Sequence, residues 1–229
     1  MIEFMGDVVE IYTWEDLHNI RNDPAGDYRL MNDLGPEDEG YDDYASENAD
    51  NGSGWLPVGE RYWDGSQCIE HPFEGGFDGQ NHTITGLYID RTSTDYIGLF
   101  GFVGEDVEVR NVGVVDVDVT GDNRVGGLMG YNWGTVKNSY ATGDVSGDWY
   151  VGGLVGENDE GSVDNSYATG SVSGEVFVGG LVGWNEGTVD NSFWDIETSG
   201  TTSSDGGVGK TTAEMMDINT FTDVGWDMI

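Results

Sequence analysis

Short apolar segments rich in Val, Thr and Tyr alternate with Gly and Asn through residues 96–195 of the chain. Their apolar positions follow no helical spacing, and strand-length pieces such as VGGLVG and TVDNSYAT are bounded by turn residues, which is typical of β-strands. The pattern also repeats, since VGGLMG begins at Val125, VGGLVG begins at Val151 and Val178, and a degenerate copy, YIGLFG, begins at Tyr96. The sequence therefore predicts repeated coils of short strands.

A unit of about 26 residues cannot bury its own apolar face, but stacked units bury a continuous core. We therefore predict an all-β protein, a right-handed parallel β-helix (β-solenoid) of about five coils with short helical caps at both ends. Equivalent residues of stacked coils lie about 4.8 Å apart, so they should form columns. The expected apolar columns are Leu99, Leu128, Leu154 and Leu181; Val136, Val163 and Val189; and Tyr140, Tyr167 and Phe193.

Asparagine recurs at two positions of the repeat, and both positions are expected to lie at turns. Asn tolerates the left-handed backbone of a tight corner, and its amides can bond from coil to coil as they do in stacked β-structures. The first predicted ladder consists of Asn111, Asn138, Asn165 and Asn191, and the second consists of Asn132, Asn158 and Asn185. The residues before the first ladder should form an exposed charged column of Arg110, Lys137, Asp164 and Asp190.

The ends of a solenoid must be covered, because an open coil exposes both its core and its strand edges. We predict three regions: residues 1–72 as an N-terminal capping segment, 73–200 as β-helix repeats, and 201–229 as a C-terminal cap. Thr13–Ile20 is predicted to be a short capped helix over or beside the first coil. The acidic, Gly-rich stretch from Leu34 to Trp63 is expected to be a long loop.

Composition indicates where such a protein works. Asp and Glu number 44 and Lys and Arg number 8, which gives a formal net charge of −36. A domain this acidic repels itself in dilute salt, whereas at molar salt the screening length falls to roughly 3 Å. We therefore expect a halophilic source. The same charge disfavours nucleic acid as a partner, and no apolar run is long enough for membrane insertion.

The VGGLVGxNxGTVxNSYATGxVSG units resemble GLUG-motif repeats, which occur in bacterial and archaeal surface proteins, adhesin-like proteins and regions associated with IgA peptidases. Upstream, IYTWEDLHNIRNDPAGDYRLMNDL and PFEGGFDGQNHTITGLYID are similar to the segment that often precedes such repeats, so the resemblance covers nearly the whole chain. With the acidic composition, it indicates a haloarchaeal type of GLUG protein. The resemblance implies a β-helix fold and an adhesion or structural role outside the cell, and it does not imply a catalytic site.

The stretch SDGGVGKTTAEM, which begins at Ser204, contains the G-K-T of a nucleotide-binding P-loop. Ser204 occupies the first Gly position, however, Asp205 would oppose a phosphate, and no buried strand precedes the stretch. Thr211 and Glu214 instead predict a capping box that opens a short helix. No catalytic, cofactor-binding or metal-binding residue is predicted, although surface acids could bind calcium or other cations weakly.

Aromatic residues near the predicted coil corners are the candidate ligand-contact residues: Trp133, Trp149, Tyr150, Phe177 and Trp184, with Trp194 grouped beside them. Exposed rings could stack on sugars or contact a protein partner. The alternative is that these rings cover Gly-rich corners and seal the core.

These observations predict a non-enzymatic adhesion or structural module on the surface of a halophilic cell, which binds a glycan or a surface protein or self-assembles. One alternative is a virion surface component, a fibre or capsid decoration, of a haloarchaeal virus, because no signal-peptide pattern opens the sequence. A third is a polysaccharide-processing β-helix enzyme, although the repeats offer only Arg110, Arg124 and Lys137 as basic groups.

Overall fold

A computed structural model describes residues 8–226. In this range the protein is an all-β solenoid of about four turns of parallel strands with short helices, as the repeat pattern predicted. The number of turns is one fewer than the expected five, because the first and last rungs are incomplete. The helices are α1 (Trp14–Asn19), α2 (Tyr41–Tyr44), α3 (Thr212–Met215) and α4 (Ile218–Thr222), with 3₁₀ turns at Ile20–Asn22 and Ala49–Gly52.

The strands fall into two groups along the chain. Those that begin before residue 121 are β1 (Val9–Ile11), β2 (Tyr28–Leu30), β3 (Glu60–Trp63), β4 (Cys68–His71), β5 (Phe77–Thr85), β6 (Tyr88–Asp90), β7 (Phe100–Val103) and β8 (Glu108–Thr120). The later ones are β9 (Asn123–Gly126), β10 (Met129–Asn132), β11 (Thr135–Lys137), β12 (Tyr140–Ser146), β13 (Trp149–Gly152), β14 (Val155–Asn158), β15 (Ser162–Asp164), β16 (Tyr167–Thr169), β17 (Val172–Ser173), β18 (Val176–Gly179), β19 (Val182–Asn185), β20 (Thr188–Asp190), β21 (Phe193–Asp195) and β22 (Val208–Lys210).

The solenoid has three parallel sheets within the described residues. The first follows the order β1-β2-β5-β8-β12-β16-β21-β22 and also includes β6, β11, β15, β17 and β20. The second is β7-β10-β14-β19, and the third is β9-β13-β18. The predicted repeats begin at residue 73, but β1 and β2 also belong to the first sheet, so that sheet includes strands that precede residue 73.

The strand register matches the repeat and produces the expected columns. Val136 lies opposite Val163, which lies opposite Val189. The four leucines of the aliphatic column are fully buried. Tyr140 and Tyr167 stack with ring centroids 4.8 Å apart and planes inclined by 2°, and Phe193 lies opposite Tyr167 on the next rung.

Trp194 closes the core of the last coil, which corrects its grouping with the surface aromatics. Earlier coils place Ala168 at this position, where a Cβ added to Gly153 would lie only 2.9 Å from the Ala168 Cβ. In the last coil Trp194 fills the equivalent space beside Gly180 and is 4% exposed. A large ring fits there because the strand that follows, β22, places Gly209 opposite Trp194, so no side chain stacks on the ring.

The N-terminal helix α1 covers the beginning of the solenoid as predicted. Thr13 and Asp16 form a reciprocal capping box, and the apolar residues Trp14, Leu17 and Ile20 are buried. The helix thus shields the first rungs of the core from water.

The segment from Leu34 to Trp63 is not the long loop that its composition predicted. Leu34 forms a bridge to Ile84, and the segment contains α2, a 3₁₀ turn and β3. Trp55 is fully buried and donates its Nε1–H to the Leu99 carbonyl at 3.0 Å. A buried aromatic residue that occurs once in an acidic stretch does not repeat along the sequence. The sequence pattern therefore did not show that Trp55 anchors this segment.

An antiparallel hairpin, β3–β4, projects from the solenoid. Arg61 of β3 pairs with Glu70 of β4 at 2.8 Å, and Trp63 near the tip is 67% exposed. This hairpin is an insertion between rungs rather than part of a coil.

The C-terminal residues cover the last coil along two of the three sheets. The strand β22 pairs with β21, and the Asp205 N–H donates to the Val182 carbonyl at 3.0 Å. Phe221 and Trp226 pack against Phe193, with ring centroids 5.6 and 6.3 Å away. These two aromatics therefore pack on the last coil, where the sequence placed them.

The first asparagine ladder lies at a surface corner of the first sheet. Its members Asn111, Asn138, Asn165 and Asn191 have φ angles of 53°, 49°, 48° and 48°. The Nδ2 of Asn138 donates to Asn111 Oδ1 at 3.1 Å, and that of Asn165 donates to Asn138 Oδ1 at 3.3 Å. Asn111 in turn donates to Asp78, which also pairs with Arg110 at 3.1 Å. The ladder thus continues into the N-terminal rungs.

Candidate functional site

One corner of the solenoid carries a column of large side chains on its outer side. The corner residues of successive coils are Tyr96, Arg124, Tyr150 and Phe177, with φ angles of 64°, 60°, 58° and 57°. Residues other than glycine rarely adopt this left-handed conformation. Four such residues at equivalent positions show that the corner has the same backbone geometry in each coil.

A second column runs beside the first on the second sheet. Its members are in register on β7, β10, β14 and β19 and are Phe102, Tyr131, Glu157 and Trp184. The Phe177 and Trp184 ring centroids are 4.7 Å apart, and those of Tyr150 and Trp184 are 6.1 Å apart. A glycine between the columns allows this approach, since a Cβ on Gly183 would lie 2.6 Å from the Tyr150 carbonyl carbon. We call these eight residues, with Arg61, Trp133 and Trp149, the aromatic surface.

Arg124 is the cation at the centre of the aromatic surface. Its guanidinium carbon lies 5.0 Å from the Tyr96 ring centre and 5.1 Å from the Tyr150 ring centre, so it makes cation–π contacts with both. Its Nε lies 2.5 Å from Glu157 Oε2. Burial raises the pKa of Glu157, and the charge of Arg124 opposes that rise. The ion pair therefore holds the guanidinium between the two rings.

The hairpin β3–β4 supplies a second cation to the other end of the surface. The Arg61 guanidinium carbon lies 5.6 Å from the Tyr131 ring centre and 5.9 Å from that of Trp133. Asp159 accepts hydrogen bonds from the Tyr131 hydroxyl at 2.5 Å and from the Trp133 Nε1–H at 3.0 Å. Burial and the bond to Asp159 raise the pKa of Tyr131. These contacts fix the rings and occupy their polar atoms.

The five aromatics predicted from the sequence all lie on this surface, at its two ends. Trp149, Tyr150, Phe177 and Trp184 cluster at the C-terminal end, where Tyr150 and Phe177 stack at 5.2 Å with planes inclined by 2°. Trp133 lies at the other end, beside Arg61 and Asp159. Trp149 and Phe177 are 45% and 41% exposed. The accessible part of the surface is therefore the Trp149–Phe177 end.

Sequence reasoning missed the cations that organise the surface. Arg124 occupies the same repeat position as Tyr150 and Phe177, so a comparison of equivalent positions could have placed it in the aromatic column. Arg61 has no such signal, because it lies in a hairpin that occurs once and only the fold brings it to the surface.

The G-K-T stretch is not arranged as a phosphate-binding loop. Thr211 Oγ1 accepts the Glu214 N–H at 3.2 Å, and Glu214 accepts the Thr211 N–H at 2.9 Å, which confirms the predicted capping box. The Thr212 N–H and hydroxyl donate to Glu197 and Asp195 at 2.8 and 2.7 Å. The groups at the start of α3 that would face a phosphate therefore bind carboxylates of the chain.

Residues 8–226 contain neither a cluster of metal-ligating side chains nor a membrane-spanning helix. In that range no group of three or more His, Cys, Asp or Glu side chains is placed to hold a metal ion. None of the helices described is long and apolar enough to cross a membrane. His18 lies in the N-terminal cap, whereas His71 and His82 each face one carboxylate, at 3.0 and 3.1 Å.

The stacked coils define a β-solenoid repeat protein. Residues 121–146 and 147–173 match the family model of the GLUG motif. The repeats of the chain therefore contain GLUG motifs, as the sequence resemblance indicated.

Two relatives share segments with the chain. Halomucin of Haloquadratum walsbyi is 34% identical over 121 residues, which are 52% of this chain and 1% of halomucin. A protein of Evansella cellulosilytica, provisionally described as a Gly-rich membrane protein, is 38% identical over 90 residues, which are 38% of this chain and 10% of that protein. The chain thus spans a small fraction of the length of both relatives.

A solved structure shares the fold. It is a crystal structure from Bacteroides ovatus, provisionally described as an immunoglobulin A1 protease, with a TM-score of 0.55 and 17% sequence identity. The similarity covers 94% of this chain and 86% of the other. At this identity the similarity concerns the fold alone.

Proposed function

We propose that the chain is a non-enzymatic module of a surface protein from a halophilic organism, and that its aromatic surface binds a glycan outside the cell. The GLUG motif and the similarity to halomucin and to a membrane protein support the surface location. The net charge of −36 supports a salt-rich environment, where self-repulsion is screened.

The observation that carries glycan binding is the pair of exposed rings, Trp149 and Phe177, on a rigid corner. Contiguous exposed apolar groups mark interaction sites. One face of a sugar ring presents C–H groups, which pack against the face of an aromatic ring, and sugar hydroxyls donate to carboxylates. Asp148 and Glu175 are exposed on the same two rungs, where the Glu175 N–H donates to the Asp148 carbonyl at 2.9 Å. The corner thus combines stacking faces with hydrogen-bond acceptors.

The charge of the chain indicates which glycans suit this surface. An acidic polysaccharide would be repelled by the surrounding carboxylates, although molar salt weakens that repulsion. A neutral glycan or an amino sugar avoids it. No feature of the described residues favours cleavage of the glycan or a virion location, so the proposal concerns binding on a surface.

A glycan array probed in molar NaCl tests this function. We expect the wild-type protein to bind a restricted set of neutral or amino glycans, and Trp149→Ala to lose that binding. Trp63→Ala is the matched control, because this indole is also exposed but lies on the β3–β4 hairpin. An array without any specific signal, or equal signals from wild type and Trp149→Ala, would contradict the proposal.

A further inference from the structure

The third sheet ends at an uncovered strand edge. Within residues 8–226, β18 is hydrogen-bonded to β13 alone. The C-terminal segment passes this strand without pairing with it, since the Ser199 carbonyl accepts from Val172 N–H on one side and the Ser203 carbonyl accepts from Gly180 N–H on the other. The first and second sheets are covered at this end, whereas the third sheet is open.

Two backbone donors point away from the solenoid at this edge. At the first corner, the N–H groups of Tyr96 and Ile97 donate to carbonyls of the following coil at 2.9 Å each. The equivalent residues of the last corner are Phe177 and Val178. Their N–H groups face the place of a following rung, which none of the described residues fills. An unpaired strand edge of this kind can add a strand from another chain.

Apolar side chains accompany these donors. Val125 and Val151 are fully buried at the same repeat position, whereas Val178 is partly exposed. Phe177 is 41% exposed, and its ring is the last member of the corner column. The edge therefore lacks the covering coil that the same residues have elsewhere in the solenoid.

The corner column also shows which chemistry such a strand would carry. At the other end of the column, β9 lies on the rung that follows Tyr96 and places the Arg124 guanidinium 5.0 Å from the Tyr96 ring centre. An arginine on an added strand would lie in the same way over the outer face of Phe177. The net charge of −36 favours a cationic partner as well.

We propose that the open edge of β18 binds an extended, arginine-bearing segment of a partner protein. The segment adds a parallel strand to the third sheet and places its guanidinium over Phe177. This site shares Phe177 with the proposed glycan surface, but it also requires the strand edge and does not require Trp149, so the two proposals can fail separately.

The chain itself provides the test peptide. A labelled peptide that copies Asn123–Asn132 contains β9, the arginine-bearing strand that stacks on the rung of Tyr96. Titrated with the whole protein in molar NaCl, it should show saturable binding. The same peptide with Arg124→Ala should bind about 3- to 30-fold more weakly, which corresponds to the range of one cation–π contact.

Protein variants locate the site. Phe177→Ala should weaken peptide binding. Val176→Lys should also weaken it, because the lysine places a positive charge at the edge that repels the peptide arginine. This second variant keeps the proposal testable if Phe177→Ala disturbs the last coil. Trp149→Ala should leave peptide binding unchanged even where it abolishes glycan binding. Absence of saturable binding, or equal affinities of the two peptides, overturns the proposal. A protein that dimerises through this edge in molar salt without peptide also overturns it, because the occupant is then a second copy.

Discussion

The Nδ2 of Asn132 donates to the Oδ1 of Asn158 at 2.7 Å inside the solenoid, where neither side chain is accessible to solvent. Asn158 continues the ladder by donating to Asn185 Oδ1, also at 2.7 Å. Asn132 Oδ1 accepts the Gly134 N–H at 3.1 Å within its own turn. Each buried amide thus satisfies its own turn and the next coil, which couples the coils to one another.

Replacement of Asn158 by alanine should therefore destabilise the solenoid strongly. The substitution removes the shortest hydrogen bond of the buried Asn132 Nδ2, which keeps only its longer bonds to the Gly134 and Ser162 carbonyls at 3.2 and 3.4 Å, and it removes the donor to Asn185. We expect the free energy of unfolding to fall by about 2–4 kcal/mol, since each unsatisfied buried polar group costs roughly 1–3 kcal/mol. Chemical denaturation at constant salt measures this change.

The exposed ladder supplies the matched control. Asn138→Gly removes a ladder amide but keeps the left-handed backbone, and its hydrogen bond at the surface competes with water. Its cost should stay below about 1 kcal/mol. Equal losses from Asn158→Ala and Asn138→Gly would show that burial does not set the strength of the ladders.

Salt should stabilise the protein by screening its carboxylate columns. Burial, followed by repulsion from Asp144 and Asp90, raises the pKa of Asp118. Asp144 lies opposite Asp118 in the strand register, so Asp144→Asn should stabilise the fold by about 0.2–1 kcal/mol in dilute salt. The gain should vanish at 1 M salt, where the screening length is roughly 3 Å.

Thermal melts of wild type and Asp144→Asn across NaCl concentrations measure both effects. Glu105→Gln, an exposed acid in the turn before β8, gives the effect of removing one charge without that column neighbour. A melting temperature of the wild type that stays flat from dilute to multimolar NaCl would contradict the halophilic interpretation.

His18 should make the N-terminal cap sensitive to acid. Its ring lies 4.4 Å from the Tyr44 ring, and burial, with a smaller effect of the Arg21 charge, lowers its pKa from 6.5 to about 4. Between these two pH values the unfolded chain binds a proton that the folded chain does not. The free energy of unfolding should therefore fall as pH is lowered from 6.5 towards 4.

The comparison variant is His18→Phe, which keeps an aromatic ring beside Tyr44 and removes the titrating group. Because carboxylates also titrate in this range, the informative quantity is the difference between the stability profiles of wild type and variant. That difference should change across pH 4–6.5, and a constant difference would contradict the assignment of a low pKa to His18.

Deletion of Thr211–Ile229 should expose the aromatic column of the last coils. Phe221 and Trp226 cover Phe193, and Trp226 donates its Nε1–H to the Asn191 carbonyl at 2.9 Å. We expect the shortened protein to aggregate in molar salt, where charge repulsion is screened. Size-exclusion chromatography with light scattering measures this, and a soluble monomer would refute the capping role.

The repeated part of the fold could be predicted from the sequence because each feature is present several times. Equivalent valines, leucines and asparagines, spaced one coil apart, define strands, core columns and ladders together. The features that occur once could not be predicted in this way. Trp55 is buried and Arg61 reaches the aromatic surface only through the three-dimensional path of a single-copy segment.

The sequence identified aromatic residues of the candidate site, but it did not predict how these residues are arranged. Proximity to turns identified Trp133, Trp149, Tyr150, Phe177 and Trp184. It did not show that Tyr150, Phe177 and Trp184 belong to two facing columns, with Trp133 and Trp149 beside them. Trp194 shares the same sequence context but lies in the core, at the position where the preceding coil places the smaller Ala168.

Glycan affinity measured by calorimetry in molar NaCl tests the central claim, that the accessible end of the aromatic surface is a binding site, most directly. The ligand is the best neutral or amino glycan from the array, and the proteins are wild type, Trp149→Ala and Trp63→Ala. We predict saturable binding by wild type and Trp63→Ala and at least about tenfold weaker binding by Trp149→Ala, since loss of a central aromatic contact costs 2 kcal/mol or more. Unchanged affinity of Trp149→Ala, or no saturable binding by the wild type, would contradict the account.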